Sequence, residues 1–161
     1  MADTRAYAEA ERWVREHGLP ARYPGHRFEK LDLSVGMRTT GDPAYHEFDA
    51  VSEDRTVVAS VKASSGLTTG GKLPVGKTKD AYAELHFLSL VIAPRRLLVL
   101  TDPDFYRIFT KVSDGKLPAG AEVVHLPLPP ELEQRVRAAR TVAFAEVSPG
   151  GVPPPENPLP K

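Results

Sequence analysis

The stretch His46–Ser65, HEFDAVSEDRTVVASVKASS, organises the chain. Two strand-like runs, Tyr45–Val51 and Thr56–Ala63, flank Ser52-Glu53-Asp54-Arg55, a polar segment of hairpin-turn length. Side chains alternate along a strand. Glu47 and Asp49 therefore share a face of the first strand, and Ser60 and Lys62 share a face of the second. Register decides whether those faces coincide. If they do, a carboxylate and an ammonium meet near the sheet edge, beside a polar loop.

The flanking segments supply the rest of a layered domain. Upstream, Asp3 to His17 reads as an amphipathic helix capped by Asp3, with Ala6, Tyr7, Ala10, Trp13 and Val14 at helical spacing and Gly18 and Pro20 as stops. Phe28–Val35 alternates as a strand, with Leu31, Leu33 and Val35 on one side. Downstream, Ser64–Lys77 reads as a Gly/Thr/Lys loop. A helix is expected over Asp80–Ile92, striped by Ala81, Leu85, Leu88 and Ile92 and ended by Pro94. Leu97–Thr101 is apolar enough for the centre of a sheet. Asp102-Pro103-Asp104 then reads as a turn, after which Phe105–Val112 is expected to pair back as a strand. Glu122–Leu126 is a further strand, and Pro130 opens a helix over Glu131–Val142 that turns Leu132, Val136 and Ala139 inward.

The expected fold is thus α/β, a mixed central sheet flanked by helices, in one domain over residues 1–147. Residues 148–161, SPGGVPPPENPLPK, cannot build a core and are expected to form a disordered tail that samples polyproline II.

Composition narrows the function. The chain has 161 residues and no cysteine, which excludes disulfides, zinc–thiolate sites and a Cys nucleophile. No apolar run approaches the ~20 residues that cross a bilayer, so the expectation is a soluble, cytoplasmic protein with no membrane partner. The 21 basic and 21 acidic residues balance, which argues against a whole-surface grip on nucleic acid and leaves room only for a local basic patch.

Asp49 followed by Ser60-Val61-Lys62 resembles the second and third motifs of the PD-(D/E)xK (restriction-endonuclease-like) nuclease superfamily, and the element order from Asp3 to Phe109 is similar. The resemblance implies a nuclease that needs Mg²⁺ or Mn²⁺ and hydrolyses phosphodiester bonds in DNA. Asp49 and the Val61 carbonyl would hold metal, and Lys62 would position or activate water. The chain departs from the family at Ser60, where Asp or Glu is usual. A hydroxyl cannot replace that charge, so the acid has to come from elsewhere. Glu84, one turn into the following helix, is the first choice, with Asp80 and Glu47 as alternatives. Some relatives also use a glutamate of the first helix, here Glu9 or Glu11. Such enzymes often cut as homodimers. Without a replacement acid the same fold would be an inactive module that binds nucleic acid or serves as a subunit of a larger assembly. An ordinary cross-strand ion pair between Asp49 and Lys62 is the plainest alternative.

Gly71–Thr78, GKLPVGKT, matches the phosphate-binding P-loop pattern letter for letter. Its context is wrong, because Ser64–Gly70 separates it from the preceding strand and nearly half of the chain comes before it. Lys72, Lys77 and Lys79 are instead expected to touch nucleic-acid phosphates. His26, His46, His86 and His125 show no ligand-type spacing, and His46 is expected to point away from Asp49 as a packing or surface residue.

Overall fold

The computed structural model describes residues 4–64 and 66–147, with side chains through residue 141. Five strands form one sheet in sequence order: β1 (Phe28–Met37), β2 (Pro43–Ser52), β3 (Val57–Lys62), β4 (Arg95–Leu100) and β5 (Ala121–His125). β1–β2 and β2–β3 pair antiparallel, while β3–β4 and β4–β5 pair parallel. The polar segment after Ser52 does make the β2–β3 turn, and Arg55 takes a left-handed conformation there (φ 59°).

The helices are α1 (Thr4–Trp13), α2 (Leu19–Arg22), α3 (Val75–Leu90), α4 (Pro103–Val112) and α5 (Pro130–Val147). α3 joins β3 to β4 and α4 joins β4 to β5, so both crossovers step the same way across the sheet. One handedness of crossover then places both helices on one face. There Leu85, Leu88, Phe105 and Phe109 pack with Phe48, Val58 and Leu98. α1 and α5 cover the other face, where Ala6, Ala10, Val136 and Ala139 meet Ala59, Leu97 and Val99. Helices on both sides explain why β3 and β4 are apolar almost without alternation.

Three elements depart from expectation. Phe105–Val112 is a helix, not a strand. Asp102-Pro103-Asp104 is its start: the Asp102 carboxylate accepts from the N–H groups of Asp104 and Phe105, both at 2.9 Å, and Pro103 occupies the first turn. Phe105, Ile108, Phe109 and Val112 recur at helical spacing, a period that the turn reading concealed. Replacing Asp102 with Ala should therefore cost about 1–2 kcal/mol in urea unfolding, since two N–H donors lose their acceptor at once; an unchanged midpoint would show that the cap is idle.

Gly18, in turn, is not a stop. After Trp13 the backbone widens through Val14–Gly18, with the Leu19 N–H reaching the Val14 carbonyl, and then resumes as α2 with Pro20 in its first turn. Gly18 is needed for close packing, because a Cβ there would lie 3.1 Å from the Trp13 ring and 3.4 Å from Leu126. Finally, α3 begins at Val75, five residues before the expected Asp80, and ends before Ile92, which is fully exposed. Asp3 and the 148–161 tail lie outside the described residues.

Candidate functional site

The site begins with an irregularity in β2. Glu29 and Leu31 of β1, two positions apart, face Val51 and Phe48 of β2, three apart, so β2 carries an extra residue there. The packing registers it. Phe48 and Val51 bury on the α3 side, whereas Ala50, which plain alternation would put with Phe48, buries on the α1 side. Arg15, in the widened turn after α1, donates to the carbonyl of Asp49 at 3.0 Å and so braces the bulge.

β2–β3 pairing is confined to Ala50–Ala59 and Val51–Val58, and the two strands part beyond it. The Asp49 side chain fills the gap: its Oδ2 accepts from the Val61 N–H at 2.7 Å, taking the place of a strand carbonyl. The carbonyls of Thr56 and Lys62 accept from the N–H groups of Arg95 in β4 and of Thr101 just beyond it. Alternation along β3 therefore turns the carbonyl of Val61 toward the same gap as its N–H. Asp49 Oδ1 receives no hydrogen bond from the described residues. Burial pushes the Asp49 carboxyl up from its ordinary 3.8 to about 6; the Val61 N–H opposes this, Glu11 and Glu84 push further up, and Lys30 pulls back.

On the α3 face, Ser60 is only 1 % exposed and donates its hydroxyl to Glu84 Oε2 at 2.9 Å. Lys62, next on that face of β3, places Nζ 3.3 Å from Glu84 Oε1. His46 Nε2 lies 3.3 Å from Glu84 Oε2. Burial alone would raise the Glu84 carboxyl, but the Lys62 ammonium and the hydrogen bonds from Ser60, His46 and Lys62 outweigh it and hold the pKa below the ordinary glutamate value. The Glu84 carboxylate thus stands directly against Ser60, where the nuclease resemblance would imply an acid.

Of the alternative acids, Glu9 pairs with Arg135 on α5. Glu11 lies at the site, bonded to Arg15 at 3.3 Å and to Lys30 at 3.2 Å. Glu47 is drawn to Lys30 at 3.2 Å, and Asp80 is exposed on α3. The three lysines do not form one loop patch. Lys72 is exposed in the loop and Lys79 is exposed on α3, but Lys77 is half-buried in the first turn of α3. There burial drives its ammonium down to about 8, helped by Arg140 and opposed by Asp102. Gly76-Lys77-Thr78 opens α3, but β3 ends at Lys62 and α3 begins only at Val75, a longer separation from the strand than the P-loop pattern has.

His46 is the residue whose role the sequence reading missed, although alternation places it correctly on the Phe48 face. Expected as packing or surface, it meets Glu84, because residues 46 and 48 both face α3. A histidine two residues from a buried Phe on a half-buried strand was the signal available. Among the described residues, only His26, Glu53 and Asp54 bring three His, Asp or Glu ligand atoms within 4.8 Å of one another; Asp49, Glu84 and Glu11 do not. The His26 group clamps the β2–β3 turn: Glu53 also accepts from the Arg27 N–H, and Asp54 from Ser52 and Thr56.

Hard oxygen donors are what the Asp49 site offers. Asp49 has a carboxylate oxygen without a donor among the described residues, Val61 a carbonyl turned to the same gap, and Glu84 a carboxylate that further raises the Asp49 pKa. Oxygen donors of this type are the ones Mg²⁺ and Mn²⁺ take, one or two carboxylates with water and phosphate oxygens completing the shell. No protein-family model, curated protein or solved structure matches this chain. No helix among the described residues is long and apolar enough to cross a membrane.

Proposed function

We propose that this chain is a divalent-metal-dependent nuclease of restriction-endonuclease-like build, hydrolysing phosphodiester bonds in DNA. One observation carries the reading: the Glu84 carboxylate, delivered from α3, is hydrogen-bonded to Ser60 and to Lys62, so acid and lysine stand together although the local motif lacks its acid. Asp49, across the β2–β3 gap, supplies the second carboxylate.

In this reading Asp49, Glu84 and the Val61 carbonyl hold Mg²⁺ or Mn²⁺, which when bound polarises the phosphate and lowers the pKa of the attacking water. Lys62 orients that water and offsets charge building on the phosphate. Glu11, tied to Arg15 and Lys30, adds negative potential at the rim. Exposed Lys72 and Lys79 meet backbone phosphates on the loop side. The protein works in the cytoplasm, and a homodimer would bring two such sites to the two strands of a duplex.

The even charge balance favours a second reading, an inactive module that binds nucleic acid or a larger assembly. The two separate in a cleavage assay on plasmid and oligonucleotide substrates with Mg²⁺ or Mn²⁺. Cutting that disappears in EDTA and falls at least about 10²-fold in both Asp49→Ala and Lys62→Ala is the expected result. Absence of cutting on every DNA and RNA substrate, with folding and nucleic-acid binding intact, would establish the binding module instead.

A further inference from the structure

We propose that His46 is a positioning residue that fixes the Glu84 carboxylate for cation binding; the inference rests on the metal-dependent reading above and assigns a residue that reading does not use. A glutamate reaching inward from a helix has three rotatable bonds, and a ligand that must first be ordered binds its cation more weakly. Ser60 bonds Oε2 and Lys62 bonds Oε1, but the lysine is a long, flexible side chain that the reading above also assigns to the attacking water. His46 supplies a second contact to Oε2, at 3.3 Å.

The imidazole can do this because it is itself held on two sides. It stacks on Phe87 with ring centres 3.8 Å apart and planes 7° from parallel, and it meets the edge of Phe48 at 4.9 Å and 74°. Phe87 follows Glu84 by three residues on α3, so the two project from one helix face. A single ring therefore stacks on one and bonds to the other. An ionised carboxylate only accepts, which places the proton on Nε2. With Oε2 held by Ser60 and His46, Oε1 is left to Lys62 and to the cation. The arrangement is the carboxylate counterpart of the outer-shell partners that orient metal ligands in general.

The test uses the full chain and Mn²⁺ itself, titrated calorimetrically at one fixed pH, with thermal unfolding measured alongside. His46→Phe keeps a ring to stack on Phe87 and deletes the donor; His46→Gln loses the ring and keeps an amide N–H close to the position of Nε2. His46→Phe is expected to weaken Mn²⁺ binding about 10–100-fold, and His46→Gln to recover most of it. Wild-type affinity in His46→Phe would overturn the proposal, as would equal loss in both variants, which would make His46 a packing residue. Failure of the wild type to bind Mn²⁺ more tightly than Asp49→Ala would overturn the metal reading itself, and this inference with it.

Discussion

Asp49→Asn should abolish metal-dependent cleavage and yet make the metal-free protein more stable at pH 8. The loss follows from removing a charged ligand that contributes several kcal/mol to cation and transition-state binding, about 10³-fold or more in rate. The gain follows from the environment. Burial raises the Asp49 carboxyl from 3.8 to about 6, with Glu11 and Glu84 adding to the effect. A carboxyl whose pKa is higher folded than unfolded favours folding while it is protonated, below about pH 4. That contribution is lost as pH rises through about 6. At about 1.4 kcal/mol per pH unit, ionising Asp49 costs the fold roughly 3 kcal/mol at pH 8. Asn carries no charge, and its side-chain oxygen can still accept the Val61 N–H, so urea unfolding in EDTA should show the variant about 1–3 kcal/mol more stable at pH 8 and level with wild type at pH 4. Mn²⁺ should close the gap at pH 8 by stabilising only the wild type. A variant less stable than wild type at both pH values would mean that the Asp49 carboxylate is a structural brace and not a strained ligand.

Where the sequence reading succeeds, one short-range signal acts alone. The polar turn after Ser52 and the unbroken apolar run in β4 have no competitor, and the mixed sheet between helices follows from them. It fails where two local signals compete or where geometry depends on a neighbour. Asp102-Pro103-Asp104 serves equally as a turn and as a helix start, and only the period of Phe105, Ile108 and Phe109 decides between them. Gly76 suggests a loop, yet α3 runs through it, carrying Lys77 out of the expected loop patch. The site shows the same division. Asp49, Lys62 and Glu84 stand out by type and spacing, but no local feature announces the β2 bulge, whose evidence lies in the register against β1. That bulge breaks alternation between Phe48 and Ala50, whereas His46 lies before it and keeps the Phe48 face; what hides its role is that Glu84 reaches the site from α3. Tertiary partners likewise separate Glu9 from Glu11: Arg135 pairs with Glu9, while Arg15 and Lys30 pair with Glu11.

The largest test of the site as a whole is to move its acid. If Glu84 supplies the charge that residue 60 lacks, Glu84→Ala alone should cost at least about 10²–10³ in cleavage, because Lys62, Ser60 and His46 lose their common acceptor along with the cation ligand. Ser60→Glu alone should be worse than neutral. It introduces a second carboxylate at a position 1 % exposed, against one already there, and like charges in a desolvated site cannot both ionise without cost. The double change Ser60→Glu/Glu84→Ala exchanges a side chain entering from α3 for one entering from β3, with similar total volume and the same charge. Lys62 and His46 then regain a carboxylate partner. The double variant is therefore expected to be more stable in urea than Ser60→Glu and to cut DNA faster than Glu84→Ala, with Mg²⁺ still required. Such recovery could not come from packing alone, since a cavity filled with an uncharged residue, as in Ser60→Gln/Glu84→Ala, should restore stability without restoring cleavage. If both double variants are equally inactive while Glu84→Ala retains wild-type cleavage, Glu84 is only a partner of Lys62, and the acid of this site has to be sought at Glu11 or Glu47, which share Lys30.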